Sequence, residues 1–224
     1  MDTAPHSTNS GMRKFCDRLK QGCEKIQVDI TSEQISLMAA HATQLILWNK
    51  KINLTAIVEP QAMAEKHFID ALAVQSFLGQ EKRMMDMGTG GGFPSIPLKI
   101  LNPDREFVLV DSSRKKVTFL KHVIRTLGLK NIEAFHCRVE DLAEDDLHAG
   151  TYDAVISRAF AGLDKFVGLA LPLLKPEGKI YALKGKQAPE EITPELKVQF
   201  EIKTDHYQLP FEKSDRYMIR LKKI

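Results

Sequence analysis

The first 82 residues place apolar positions at helical spacing rather than in the alternation that marks strands. Apolar and charged residues mix at roughly helical intervals from residue 11 to residue 28, which predicts a short helix. A capping-box pattern at Thr31-Ser32-Glu33-Gln34 then precedes a broad apolar face, and a third helix is predicted over residues 59–77. We therefore expect residues 1 to about 10 to be disordered and residues 1–82 to form a helical cap packed on the rest of the chain.

After Arg83 the pattern changes to short apolar strands that alternate with helices, which indicates a parallel sheet. The final segments, near 206–209 and 216–221, instead predict two antiparallel strands. We therefore predict an α/β fold over residues 83–224, a doubly wound sheet of seven mostly parallel strands that ends in an antiparallel hairpin. Strands are predicted near 83–87, 106–111, 132–137, 153–158 and 179–184, and helices at 94–101, 113–127 and 162–174.

A glycine-rich turn follows the first predicted strand. Residues 86–94 read Asp-Met-Gly-Thr-Gly-Gly-Gly-Phe-Pro, so a ligand can approach the main chain closely. The dinucleotide fingerprint needs a glycine where Phe93 stands, and no G-K-[ST] lysine follows. The pattern favours a nucleoside cofactor without phosphate, such as S-adenosylmethionine; the alternative is a tight turn that binds nothing. The predicted cofactor-binding residues of this turn are Asp86, Gly88, Thr89, Gly90, Gly92 and Phe93.

Three further strand ends are expected to meet this turn, because ligands of such sheets bind beyond the carboxyl ends of the strands. Asp111 ends the second strand and is expected to accept hydrogen bonds from ribose hydroxyls. Val139 and Glu140 follow the third strand, where an adenine amino group would be held, although Glu140 is alternatively one member of a solvated acidic run. Arg158 ends the fourth strand and is expected to face the substrate; the alternative is an ion pair with Asp111 or Glu140.

Basic and polar residues around the predicted crevice are candidates for binding nucleic acid. Charge runs are usually solvated surface, but at the mouth of a cofactor site they suit phosphates. The segment after Trp48 is either a packed connector or a contact surface. His67 and Asp70 share one helix face and either reach the crevice or form a structural pair. The predicted nucleic-acid contacts are Asn53, His67, Arg114, Lys115, Lys116, Lys184 and Lys186.

Composition narrows the class of protein. The 224 residues are 43% hydrophobic and 27% charged with a net charge of +3, which suits one globular domain with an appendage and excludes a histone-like binder. We expect a cytoplasmic protein without a membrane partner, because no apolar run has membrane-spanning length and no signal peptide is evident. Cys16, Cys23 and Cys137 form no C-x-x-C pair and are expected to be reduced thiols. No histidine or cysteine has metal-ligand spacing, so we expect no metal.

Together these motifs resemble a known family over about residues 45–186. Its members are the bacterial ribosomal RNA small subunit methyltransferases G, also called GidB. The most specific part is the glycine-rich run that continues as G-F-P-x-I-P. Ser95 stands where the family commonly has glycine, and Val139 where alanine is more frequent. The other matching segments are Trp48-Asn49-Lys50, Asn53-Leu54-Thr55, His67 with Asp70, Asp111-Ser112 with Lys115-Lys116, and Ser157-Arg158-Ala159.

The resemblance implies a class I, Rossmann-like methyltransferase that uses S-adenosylmethionine and releases S-adenosylhomocysteine. It implies methylation at N7 of a guanine in the 530 loop of 16S ribosomal RNA, guanine 527. Its partner would be 16S ribosomal RNA or the small ribosomal subunit, and we expect a monomer. The family's cofactor contacts fall on Gly88, Phe93, Val139, Glu140 and Arg158.

Guanine N7 carries a lone pair and no proton at neutral pH, so its methylation needs no general base. The sequence offers no compelling candidate for one, and we expect Arg158 to position the cofactor and the base. Two other classes of function stay open at this point. One is a methyltransferase that acts on a small molecule or a protein, and the other is a non-catalytic module that only binds the cofactor.

Overall fold

The computed structural model describes the main chain of residues 5–224 and the side chains from residue 10 onward. Helix α1 spans Pro5–Lys25 and helix α2 spans Ser32–Ile52. The prediction of disorder is therefore wrong for residues 5–10, whereas residues 1–4 lie outside the described residues. The capping box is confirmed, because the Thr31 hydroxyl accepts from the Gln34 amide at 3.2 Å and the Gln34 side chain accepts from the Thr31 amide at 2.9 Å.

The third helical segment of the cap is irregular. It begins as α3 (Pro60–Met63), widens into a π-helical stretch at Ala64–Ile69, returns to α-helix as α4 (Asp70–Ala73) and ends as a 3₁₀ turn at Val74–Phe77. The sequence pattern predicts one regular helix here, and it does not predict the π-helical stretch. Such stretches often occur at functional sites, because they re-aim the side chains that they carry.

The seven predicted strands are confirmed as one sheet. Its order is β3-β2-β1-β4-β5-β7-β6, in which β1 to β5 pair in parallel and β7 pairs antiparallel with β5 and β6. This is the predicted α/β architecture, a doubly wound sheet that ends in an antiparallel hairpin. The strands are β1 (Arg83–Met87), β2 (Glu106–Asp111), β3 (Ile132–His136), β4 (Tyr152–Arg158), β5 (Leu174–Lys184), β6 (Phe200–Gln208) and β7 (Asp215–Lys223).

Helices cover both faces of the sheet. They are α5 (Ser95–Leu101), α6 (Arg114–Thr126), α7 (Val139–Leu142), α8 (Leu163–Ala170) and α9 (Pro194–Gln199), with 3₁₀ turns at Leu171–Leu173 and Ala188–Glu191. The short helices α7 and α9 were not predicted.

Alternation along each strand produces two apolar cores, one on each face of the sheet. In β2, Phe107 and Leu109 join a core that includes side chains of the helical cap, whereas Val108 and Val110 join the opposite core with α8 and α9. The cap therefore packs directly on the sheet. The division of the chain into two units at residue 82 stays a prediction.

Candidate active site

A cavity of about 440 Å³ lies beyond the carboxyl ends of β1 to β4. The order of the strands reverses here. Strands β2 and β3 lie on one side of β1, whereas β4 and β5 lie on its other side. Ligands of doubly wound sheets bind at such a reversal. The lining residues are Gly88, Val110, Asp111, Ser112, Lys116, Cys137, Arg138, Val139, Glu140, Ala159 and Phe160.

The glycine turn between β1 and α5 forms the floor of this site. Gly88 has φ of 69° and Gly92 has φ of 90°, values that disfavour any residue with a Cβ atom. A Cβ atom on Gly88 would lie 2.4 Å from the Phe160 ring, and one on Gly92 would lie 2.4 Å from Ile96. The Gly88 amide donates to the Val110 carbonyl at 2.8 Å, which fixes the turn against the end of β2. The main chain is thus held bare where a ligand would pass.

Asp111 ends β2 beside this turn, as predicted, and lines the cavity. Its carboxylate accepts from the Gly90 amide at 3.1 Å and from the Ser113 amide at 2.8 Å, and Lys116 Nζ lies 3.8 Å away. The side chain is 6% exposed. Asp111 therefore shapes the glycine turn itself, and its two carboxylate oxygens can accept further hydrogen bonds from a ligand in the cavity that it lines.

Asp86, inside β1, is an uncompensated buried carboxyl group. It has no exposed surface, and neither of its oxygens has a hydrogen-bond partner in the described part of the chain. The hydroxyls of Thr89 and Ser95 likewise have none. Burial raises the pKa of Asp86 to about 7, although the polar groups of Ser95 and Thr89 oppose that rise. A carboxylate in this state suits a cationic ligand group.

The far end of the cavity, beyond β2 and β3, contains the predicted pair Val139 and Glu140. Both line it at the start of α7, with Val139 buried and Glu140 exposed. Cys137 lies beside them, and burial raises the pKa of its thiol, so this cysteine is not poised as a nucleophile. Cys137 forms no disulfide in the described part of the chain, and neither do Cys16 and Cys23.

Arg158, at the end of β4, turns towards the helical cap. Its guanidinium donates to the Lys66 carbonyl at 3.2 Å and to the Asp70 carboxylate at 3.4 Å, and lies 3.3 Å from His67 Nδ1. These partners lie in or next to the π-helical stretch. Tyr207 also donates to Asp70, at 3.1 Å, so this buried carboxylate holds three parts of the chain together.

This arrangement changes two expectations. The ion-pair partner of Arg158 is Asp70, and neither Asp111 nor Glu140 pairs with it. Phe93 is 4% exposed and does not line the cavity. Its ring instead lies beneath the Arg158 guanidinium, 5.0 Å away, and stacks on His67 with 4.8 Å between ring centroids. Neither Phe93 nor Arg158 touches the cavity in this conformation, so their cofactor contacts stay predictions.

His67 is an interior residue of the same network. Because Nδ1 accepts from Arg158, Nε2 carries the proton and donates to the Thr55 hydroxyl at 2.7 Å. Burial, followed by the charge of Arg158, lowers the pKa of His67 to about 3, so the ring is neutral. Of the two alternatives for His67 and Asp70, the contacts match the structural one, and His67 offers no surface to RNA here.

The predicted basic contacts divide into two groups. Arg114, Lys115 and Lys186 are exposed, and so is Asn53, in left-handed conformation at the end of α2. Lys184 is different, because its ammonium donates to the Ala161 carbonyl at 2.6 Å and to Glu191 at 2.7 Å with 11% of the side chain exposed. Lys184 therefore supports the loop after β4 in this conformation, and its RNA contact stays a prediction.

Two residues of the site were not anticipated. His41 of α2 is fully buried, and its Nε2 donates to the Gly91 carbonyl at 2.9 Å, which ties the cap to the glycine turn. Phe160 lines the cavity, whereas the predicted Phe93 does not. An isolated histidine on an apolar helix face carries no signal of such a contact. Phe160 did have a signal, since it follows the Ser157-Arg158-Ala159 motif directly.

Within residues 5–224, no helix combines the length and apolar character needed to cross a lipid bilayer. In the same range, no three metal-ligating side chains cluster around a common point.

Solved structures of low sequence identity share the fold. An O-methyltransferase from Streptomyces achromogenes, TomG in complex with S-adenosylmethionine, superposes with a TM-score of 0.57 at 16% identity, covering 82% of this chain and 90% of that one. A methyltransferase dependent on S-adenosylmethionine from Aquifex aeolicus gives 0.53 at 17% identity, covering 73% and 93%. This chain therefore shares the fold of class I methyltransferases.

Sequence comparison gives the family. The model of the family "rRNA small subunit methyltransferase G" (GidB) matches residues 34–219. The ribosomal RNA small subunit methyltransferase G of Geobacter sp. strain M21 is 44% identical over 174 residues, 78% of this chain and 79% of that protein. The Acinetobacter baumannii protein of that name is 39% identical over 213 residues, covering 95% and 100%. This chain belongs to the ribosomal RNA small subunit methyltransferase G family.

Proposed function

We propose that this protein transfers a methyl group from S-adenosylmethionine to N7 of guanine 527, in the 530 loop of 16S ribosomal RNA. The relatives are named as methyltransferases of small-subunit ribosomal RNA, which supports that class of substrate. The observation that supports N7 as the acceptor is that, among the described residues, no general base lies on the β4 side of the cavity. Asp111 and Glu140 are the two carboxylates that line the cavity among the described residues, and both lie on the β2–β3 side. An acceptor atom without a proton to lose suits such a site.

The residues present fit the cofactor. The Gly88 turn leaves main chain exposed where a Cβ atom would collide. The Asp86 carboxyl, two residues before Gly88, is buried without a hydrogen-bond partner among the described residues and does not itself line the cavity. S-adenosylmethionine brings an ammonium group, a sulfonium-bound methyl group that it donates, and a ribose diol. We assign Asp86 to the ammonium end, Asp111 to the diol, and Val139 with Glu140 to the adenine end. Thr89, Gly90 and Gly92 shape the turn.

Catalysis then depends on orientation. Holding two reacting groups in line lowers a barrier by about 7–11 kcal/mol at best, which is the contribution that a site without a base can supply. Arg158 acts as a positioning residue, because its guanidinium fastens the π-helical stretch of the cap to the end of β4. A lone cation does not stabilise the positive charge that moves onto guanine, so no electrophilic role is assigned to it.

RNA contacts are assigned to the exposed cations at the mouth of the cavity. Arg114, Lys115 and Lys116 occupy the first turn of α6, which contains no acidic residue. Cations are unfavourable there, by about 0.3–1 kcal/mol each, because they oppose the helix dipole. A locally unfavourable choice of this kind is typical of functional positions. Phosphates of RNA, together with the exposed Lys186, would explain it.

The test measures transfer of a tritium-labelled methyl group from S-adenosylmethionine to three acceptors, all prepared from a strain that lacks the enzyme. They are naked ribosomal RNA, intact small subunits and total protein. We expect label in RNA, with strand cleavage by borohydride and aniline at guanine 527, as 7-methylguanine requires. Label only in protein would overturn the RNA assignment, and labelled RNA that resists cleavage would overturn N7. Cofactor binding without transfer to any acceptor would indicate a non-catalytic module. We further expect a cytoplasmic monomer that needs no metal. Analytical sedimentation checks the oligomeric state, and activity after chelation checks the need for a metal.

Asp111→Ala tests the cofactor assignment separately. Loss of charge-assisted hydrogen bonds to the diol should weaken S-adenosylhomocysteine binding by about 1.5–3 kcal/mol in calorimetry. The exposed Asp29→Ala is the control and should bind as the wild type does. Unchanged affinity in Asp111→Ala would show that the carboxylate serves only the glycine turn.

A further inference from the structure

The β4 side of the cavity ends in two residues that no cofactor role accounts for. Ala159 and Phe160 follow Arg158 directly and both line the cavity. Ala159 is exposed and has φ of 56°, a left-handed conformation that alanine adopts at a cost of about 1–2 kcal/mol. Such strain at the end of a central strand is typical of functional sites, because the surrounding structure must maintain it.

Phe160 is the one aromatic side chain among the described residues that line the cavity. One part of its ring packs on the apolar core beside α8, with 6.3 Å and 66° between its ring and that of Phe166. Its Cδ2 atom lies 2.4 Å from the position that a Cβ atom on Gly88 would occupy. The ring is half-buried, so it is anchored from behind and still open to the cavity.

The order of the strands fixes which end of a ligand meets Phe160. The diol and adenine assignments lie beyond β2 and β3, and β4 lies on the other side of β1. An acceptor therefore enters on the β4 side. A guanine taken from an RNA loop loses its stacking partners, and proteins commonly replace them with an aromatic face.

We infer that Phe160 is the stacking platform that receives the target guanine and holds its plane at the methyl-donor end of the cavity. This inference rests on the proposed function and adds to it the residue that positions the acceptor. It also gives a reason for the left-handed Ala159, which turns the chain so that the next side chain lies over Gly88.

The experiment compares aromatic and aliphatic replacements: Phe160→Tyr, Phe160→Trp, Phe160→Leu and Phe160→Ala. Stacking on one base is worth a factor of roughly 5 to 150, so the last two variants should lose that much kcat/KM towards the RNA that the wild type methylates. Tyr or Trp should restore most of it. The dissociation constant for S-adenosylhomocysteine should stay within about twofold in all four variants, and thermal unfolding identifies any that fold poorly.

Each outcome decides one question. Wild-type kcat/KM in Phe160→Leu would overturn the stacking role while leaving the proposed function intact. Parallel loss of S-adenosylhomocysteine affinity would show that the ring serves the cofactor, which also overturns it. Failure of the wild type to methylate guanine N7 in the transfer assay refutes the proposed function, and the stacking assignment with it.

Discussion

Asp86→Asn tests the physical state of the buried carboxyl group in β1. The substitution replaces a group that titrates by a neutral amide of nearly the same shape. Asp86 has no exposed surface, and neither oxygen has a hydrogen-bond partner among the described residues. Burial therefore disfavours its charged form more than the nearby polar groups of Ser95 and Thr89 favour it, and raises its pKa to about 7.

The magnitude follows from that pKa. A rise from 3.8 to about 7 is roughly three pH units, and each unit corresponds to 1.36 kcal/mol. The folded state keeps the proton up to about pH 7, whereas the unfolded state loses it above 3.8. Stability from the bound proton is therefore complete below pH 3.8 and is lost as pH rises through 7, to a total of about 4 kcal/mol. Asparagine has no proton to lose.

The assay is chemical denaturation of wild type and Asp86→Asn at pH 5 and pH 8.5, at one ionic strength. Because only the two pH units between 5 and 7 fall inside this interval, we expect the free energy of unfolding of the variant, relative to wild type, to be higher at pH 8.5 than at pH 5 by up to about 3 kcal/mol. The exposed Asp29→Asn is the matched control and should follow the wild type at both pH values. Parallel pH profiles for wild type and Asp86→Asn would refute the reasoning.

The same variant tests the cofactor assignment. If Asp86 pairs with the ammonium group, wild type should bind S-adenosylhomocysteine more tightly at pH 8.5 than at pH 5, and the variant should bind weakly at both. Calorimetry at the two pH values measures this. Equal affinity of the two proteins at pH 8.5 would show that the carboxylate does not serve the ligand.

Three further predictions concern the turn, the lysines and the cap. Gly92→Ala should destabilise the fold by several kcal/mol in chemical denaturation, because alanine is strained at this backbone conformation and its Cβ atom would lie 2.4 Å from the Ile96 side chain. The control Gly168→Ala, in open space within α8, should be neutral or stabilising. Lys184→Ala should lower the melting temperature, because the Lys184 ammonium holds the loop after β4. Lys186→Ala should leave the melting temperature unchanged and lower kcat/KM for RNA. The reverse result would contradict both assignments. His67 has a folded pKa of about 3 against 6.5, so wild type should lose stability as pH falls below 6.5. In His67→Gln the slope of the free energy of unfolding against pH, below pH 6.5, should be smaller by up to about 1.4 kcal/mol per pH unit. An unchanged slope would show that the imidazole of His67 is not held neutral in the folded protein.

The sequence predicts the sheet well because its signals are local. Strands β1 and β2 fall on the predicted residues, since each is a short apolar run that ends in an acidic or glycine-rich turn. Asp111 was identified for the same reason: it is the last residue of a strand whose end must face the crevice. The terminal hairpin was recognised, but both of its strands are longer than predicted, because exposed charged positions hide their alternation.

The roles of several site residues depend on contacts that no local pattern carries. Arg158 pairs with Asp70 across 88 positions of sequence, and Lys184 is held by a glutamate on the loop that follows it. Exposure and partner choice for such side chains are set by tertiary packing. The sequence therefore identified Arg158, His67 and Lys184 as important polar residues but not the partners that they contact.

The structure links the helical cap to the acceptor side of the cavity through three consecutive residues. Arg158 is fastened to the π-helical stretch, Ala159 turns the chain, and Phe160 lies in the cavity over Gly88. Because the guanidinium and the ring are only two residues apart, a displacement of the cap must move the ring or break the hydrogen bonds of Arg158. The cap thus contacts, through Arg158, the segment that carries the proposed stacking ring, although none of its described side chains lines the cavity. The neutral, buried His67 and the buried Asp70 belong to that contact.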